Sequence, residues 1–143
     1  MARQHALTQT NLPFGRRVGF SVLESTQLPF ADGAFDVVVC DSVLDSMRFE
    51  TACELMKEIE RTVIAYAFIT LISKRCHATG KAEEVVVTTP HEFSTVQSYF
   101  DVDKLEELRS VTALKRVWMN EVVELDGSGN VVNSRYHVVL RKP

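Results

Sequence analysis

VGFSVLESTQLPFADGAFDVVVCDSVLDSM, residues 18–47, decides the fold. It holds two short apolar runs, residues 18–23 and 35–40, each followed by an acidic residue. In the first, Val18, Phe20 and Val22 alternate with Gly19 and Ser21, the period of a strand. The second, Phe-Asp-Val-Val-Val-Cys, is β-branched and nearly uniformly apolar, as expected of a strand covered on both faces at the centre of a sheet. Asp32-Gly33 marks the tight turn between them. Polar groups gathered just past strand ends are how an open α/β sheet builds a ligand crevice.

Beyond this stretch the period lengthens. Phe49, Ala52, Cys53, Met56 and Ile59 fall on one helical stripe, with Glu50, Glu54, Lys57, Glu58 and Glu60 on the wet side. Residues 65–72 read as a third strand. Residues 73–99 are polar and mixed, with Gly80 and Pro90 as breakers and a short strand expected at 85–87. Asp101 and Asp103 are good caps for a brief helix over 102–108. Residues 114–125 and 135–142, around Asp126-Gly127-Ser128-Gly129-Asn130, predict a closing β-hairpin. Gly127-Ser128-Gly129 is a turn and not a phosphate cradle, because a strand and not a helix follows it. Trp118 and Tyr136 are expected to pack.

Composition sets the bounds. A chain of 143 residues, 45% hydrophobic and 24% charged, suits one globular domain. A formal charge of −3 and a pI near 5.8 argue against a nucleic-acid surface. No apolar stretch is long enough to span a bilayer, and residues 1–17 lack the apolar region of a signal peptide, so the expectation is a cytoplasmic protein. Cys40, Cys53 and Cys76 are odd in number and lack paired spacing, which predicts free thiols and no metal site. Cys76-His77 supplies too few ligands to change that.

Glu24-Ser25-Thr26-Gln27-Leu28-Pro29-Phe30, Asp32-Gly33-Ala34-Phe35-Asp36-Val37-Val38-Val39-Cys40 and Ser42-Val43-Leu44-Asp45-Ser46-Met47 resemble the middle of a class I S-adenosylmethionine-dependent methyltransferase of the small-molecule branch. The resemblance runs from residue 18 to the C-terminus, leaving 1–17 as an N-terminal arm, frayed or briefly helical, and 18–143 as a partial methyltransferase-like domain. It implies an α/β fold: a truncated Rossmann-like sheet, mostly parallel, ending in the antiparallel hairpin. The family's glycine-rich cofactor loop and ribose-binding acid belong on two strands upstream of residue 18, and the residues there contain neither. Its Lys-Pro-Gly-Gly turn is replaced by Thr62-Val63-Ile64.

The resemblance assigns Glu24 and Ser25 to the adenine end of S-adenosylmethionine, with Glu standing where the family has Asp. It assigns Cys40, Asp41 and Ser42 to the methionine end and the incoming nucleophile. Asp41 is the candidate base, with an ordinary helix-capping role as the alternative reading. Asp45 stands where many relatives carry His and inherits no catalytic role. His77 and His91, in the long polar segment, are places for a small-molecule substrate to bind. Because the family's two upstream strands would lie between the residue 18 and residue 35 strands, their loss leaves an exposed edge. The expectation is that the residue 18 strand moves in parallel beside the residue 35 strand, or that two chains form a homodimer through that edge. Cofactor binding by this chain is expected to be weak or absent, and a non-catalytic interaction module or an incomplete gene product is the alternative.

Overall fold

The computed structural model describes residues 10–11, 17–76, 83–88 and 95–143. In chain order these form β1 (Thr10–Asn11), β2 (Arg17–Val18), β3 (Phe35–Cys40), α1 (Phe49–Thr62), β4 (Val63–Ile72), β5 (Glu84–Val86), β6 (Val96–Ser98), α2 (Val102–Ser110), β7 (Lys115–Leu125) and β8 (Val131–Arg141). Single 3-10 turns at Leu44–Ser46 and Lys74–Cys76 follow β3 and β4.

The main sheet has the order β3-β4-β8-β7, with β3 parallel to β4 and the remaining pairs antiparallel. The α/β architecture and the closing hairpin are those the sequence predicts. One face is packed: Ala67, Ile69 and Leu71 of β4 and Tyr136, Val138 and Leu140 of β8 meet Ala52, Met56 and Ile59 of α1 and Leu105 and Leu108 of α2 in one core. The helical stripe read from the sequence is the buried side of α1, with Cys53 half-buried against the core. Asp101 caps α2 by accepting a hydrogen bond from the Lys104 backbone N–H at 2.9 Å, satisfying one of the helix's orphan donors. Asp126 holds the hairpin turn by accepting from the Ser128 and Asn130 backbone N–H groups. All three cysteines are free thiols.

Four expectations are corrected. Of residues 18–23 only Val18 is in a strand, and β2 pairs with β1 and not with the main sheet. Phe20, Val22 and Leu23 are exposed, so alternation gave the segment strand character, yet among the described residues only Val18 has a strand partner. Consequently it does not lie in parallel beside β3. β3 itself is an edge strand and not the centre of the sheet. Its Val37 and Val39 are 53% and 65% exposed, on a face that also carries the exposed Tyr66, Trp118 and Val122. Trp118 is therefore a surface residue, whereas Tyr136 packs as expected. No helix among the described residues covers that face.

Residues 26–33 do not float. Arg61 of α1 donates to the carbonyls of Leu28 and Phe30 and pairs with Asp32 and Glu58, while Glu58 accepts from the Leu28 backbone N–H at 2.9 Å. The Gly33 backbone N–H donates to the Arg61 carbonyl, at a φ of 61° that only glycine adopts freely. Thr26 donates to Glu54. The loop after the apolar run at 18–23 is thus laced along α1 on its way to β3.

Candidate functional site

The end of β3 delivers three of the expected residues in sequence, and each does something different. Cys40 faces the core opposite Ile69 and is buried; burial, then the nearby Asp45 and Asp41 carboxylates, push its thiol up to about 11, only partly offset by a bond from the Leu44 backbone. The Cys40 side chain is therefore part of the packing. Asp41, exposed, is fastened by Thr70 of β4, whose hydroxyl donates to Asp41 Oδ1 at 2.5 Å. The same hydroxyl accepts the Ser42 backbone N–H at 2.9 Å, so one side chain fixes two consecutive residues. Ser42 takes φ 57°, a left-handed conformation that costs a non-glycine residue about 1 kcal/mol and that the Thr70 bond helps hold. The Ser42 hydroxyl also donates to Asp41 at 3.3 Å. Asp41 caps no helix: Val43 occupies the cap position of the following 3-10 turn.

Asp45 is the buried anchor beneath, with 1% of its surface exposed. Its Oδ2 accepts from the Ile72 backbone N–H at 2.8 Å and from Arg135 Nη1 of β8 at 2.9 Å, and Gln97 donates to its carbonyl at 2.7 Å. A buried carboxylate needs such partners. Its Oδ1 has no partner among the described residues. Register places Thr70 opposite His137 and Ile72 opposite Arg135, so Arg135 and His137 share the bare face with Thr70. The His137 ring lies 6.0 Å from that of Phe68.

The result is a polar end to the sheet built from Asp41, Ser42, Asp45, Thr70, Arg135 and His137. The Thr70 hydroxyl first, then the Ser42 hydroxyl and the charges of Arg135 and His137, hold the Asp41 carboxyl below its ordinary range. An acid so stabilised stays ionised at neutral pH. It is a poor proton acceptor and a good site for positive charge.

Glu24 and Ser25 are exposed, at the start of the loop laced along α1. Among the described residues no hydrogen bond or ion pair joins either of them to Cys40, Asp41 or Ser42. His77 and His91 lie outside the described residues. Sequence reading missed Thr70, Arg135 and His137. The signal for the last two was their i, i+2 spacing in Arg135-Tyr136-His137, two polar side chains on one face of a strand whose other face is apolar. No group of His, Cys, Asp or Glu among the described residues is arranged to hold a metal ion. No described helix is long and apolar enough to cross a membrane.

The residues present fit S-adenosylmethionine only in part. A free carboxylate at Glu24 suits an exocyclic amine and an ionised Asp41 suits a positive group, but the Ser42 backbone N–H is already bonded to Thr70 and no glycine-rich loop stands among the described residues.

The family model described as "Methyltransferase domain" matches residues 1–69. No curated protein matches the chain. Among solved structures, a SAM-dependent methyltransferase from Methanosarcina mazei is similar with a TM-score of 0.69 at 17% identity, over 86% of this chain and 66% of that one. The 1,6-didemethyltoxoflavin-N1-methyltransferase of Burkholderia thailandensis, with bound 1,6-didemethyltoxoflavin and S-adenosylhomocysteine, is similar at 0.59 and 12%, over 82% and 47%. The magnesium protoporphyrin IX methyltransferase of Synechocystis, with bound SAM, is similar at 0.58 and 12%, over 91% and 49%. The chain therefore spans about half to two thirds of the length of these proteins. Residues 1–69 match the methyltransferase domain, and the described chain has the Rossmann-like fold of the SAM-dependent methyltransferases.

Proposed function

We propose that this chain carries part of an S-adenosylmethionine site serving methyl transfer to a small-molecule acceptor, and that alone it binds the cofactor weakly or not at all. The observation that carries the reading is Asp41, held ionised by Thr70 at the C-terminal end of β3, where α/β sheets bind ligands. An anion there complements the ammonium group of a methionine end. Glu24 and Ser25 take the adenine end, Ser42 shapes the turn beside Asp41, and Cys40 contributes its backbone.

The cofactor, when bound, supplies the methyl group from its sulfonium. What a protein adds is alignment of the reactants, so firm binding is the larger part of its task. Each missing charge-assisted hydrogen bond forgoes roughly 1.5–3 kcal/mol. A site without the glycine loop and the ribose acid is short of several such bonds. The lowered pKa of Asp41 turns its role from base to charge partner, so any proton on the acceptor leaves by another route. Free thiols and the acidic pI accord with a cytoplasmic protein acting on a small molecule and not on nucleic acid.

The test is an NMR titration of the labelled chain with S-adenosylhomocysteine at millimolar concentration. Shifts confined to the amides of Glu24, Ser25, Asp41 and Ser42, far from saturation, are expected. Unmoved amides at these positions overturn the site, and saturation at micromolar ligand overturns its incompleteness. A second reading, a methyltransferase-like module that works by association and not by catalysis, is favoured by the uncovered edge of β3.

A further inference from the structure

On the reading that Glu24 and Ser25 take the adenine end of S-adenosylmethionine and Asp41 its methionine end, we infer that Arg61 is a positioning residue of that site. It fixes the span between the two ends, acting through the loop it holds and not on the ligand.

An arginine offers five N–H donors in a rigid planar fork, and all five of Arg61 are bonded. Nε and Nη2 donate to the two carboxylate oxygens of Glu58 at 2.9 and 2.7 Å. Nη1 donates to the Phe30 carbonyl and to Asp32 Oδ1, each at 2.8 Å, and Nη2 also reaches the Leu28 carbonyl at 3.0 Å. Glu58 in turn accepts the Leu28 backbone N–H. A single ion pair of α1 thus holds the main chain of the loop at Leu28 and Phe30 and its side chain at Asp32. Surface ion pairs add little stability on their own. What a fully bonded fork fixes is geometry.

The direction of the held run shows what that geometry is for. Thr26 is tied to Glu54, Leu28 to Glu58 and Arg61, and Phe30 and Asp32 to Arg61, so loop and helix advance side by side in the same sense. α1 ends where β4 begins, at Val63, which stands opposite Phe35 at the start of β3. Its first turn is therefore at the other end of the sheet, where β3 finishes and Asp41 stands. Residues 26–33 run away from that end, and Glu24 and Ser25 come just ahead of the first tie at Thr26. Arg61 anchors one half of the site as Thr70 anchors the other. A ligand with two ends gains from both only where they are held at its own length.

The experiment follows the amides of the labelled full chain by NMR in separate titrations with adenosine, homocysteine and S-adenosylhomocysteine. It compares the unmutated chain with Arg61→Lys, which keeps the charge but has three donors and no fork. In the unmutated chain S-adenosylhomocysteine should bind at least about tenfold tighter than adenosine, the weight of one bond to a charged group at Asp41. In Arg61→Lys that advantage should vanish, while homocysteine still moves the Asp41 and Ser42 amides as before. Equal weakening of all three ligands would mark Arg61 as a support of the whole fold and overturns the inference. So does an advantage that Arg61→Lys leaves at its original size, although the site reading then stands. Amides at Glu24, Ser25, Asp41 and Ser42 that no ligand moves in the unmutated chain overturn the site reading and the inference with it. Should Arg61→Lys lose its dispersed amide spectrum, Glu58→Gln decides. That variant leaves the Arg61 bonds to Phe30 and Asp32 in place and weakens the pair behind them, so the advantage should shrink severalfold; an unchanged advantage overturns the inference.

Discussion

Thr70→Val isolates the joint on which the proposed site depends. The substitution keeps the shape of a side chain that is 2% exposed and removes only its hydroxyl. Two bonds go with it: the one donated to Asp41 at 2.5 Å and the one accepted from the Ser42 backbone N–H at 2.9 Å. A bond to a charged group contributes roughly 1.5–3 kcal/mol and a neutral one roughly 0.5–1.5. Asp41 and Ser42 are both exposed, so water replaces part of each, and the expected loss at pH 7 is about 1.5–2.5 kcal/mol. Ser42, freed, should also relax from its left-handed conformation.

The pH dependence supplies the sharper criterion. Because the folded-state pKa of Asp41 lies below its ordinary 3.8, its contribution is fully present above 3.8 and is lost as pH falls through the lower folded value. The difference between the unmutated chain and Thr70→Val must therefore shrink on acidification below that point. Urea unfolding of both proteins across this range, with unchanged m-values, measures it. A difference under about 0.5 kcal/mol at pH 7, within the scatter of ordinary surface changes, refutes the reasoning. A difference that persists undiminished in acid refutes the assignment to Asp41.

Two further outcomes follow from neighbouring contacts. Asp45→Ala leaves the buried Ile72 N–H and Arg135 without their acceptor and should cost about 2–3 kcal/mol, while Asp45→Asn, which retains an acceptor, should cost less; thermal unfolding ranks the two, and equal losses contradict the ion-pair account. Glu58 is held down to about 2, first by Arg61 and then by the Leu28 backbone N–H. Its contribution is present above its ordinary 4.5 and is lost as pH falls through about 2. Pepsin should accordingly cut within residues 28–32 near pH 2 and not at pH 4, and cleavage there at both pH values would show that this ion pair does not hold the loop.

What was legible in the sequence was local. The stripe of α1 follows from spacings inside one helix, the cap of α2 from Asp101, and the hairpin from its turn residues. Those signals need no knowledge of distant chain. Asp45 and Arg135 are 90 residues apart and Thr70 and Asp41 are 29 apart, so no window of sequence could pair them. The register of β4 with β8 brings Arg135 and His137 to the site, and that register is set by packing on the opposite face, through Ala67 with Leu140 and Ile69 with Val138. The polar end of the sheet is thus a by-product of how its apolar face fits the helices.

The misread elements share one cause. A strand's place in a sheet is a property of its neighbours, and side-chain pattern reports only what the strand is fit for. Residues 35–40 are fit for burial on both faces and residues 18–23 for pairing, yet β3 is covered on one face and the earlier stretch stays outside the main sheet. The same mismatch explains why an apolar strand stands beside a well-made site: Asp41 is held by Thr70 of β4, by its neighbour Ser42 and by the charges of Arg135 and His137 on β8, whereas the apolar residues of β3 meet Leu28 and Phe30.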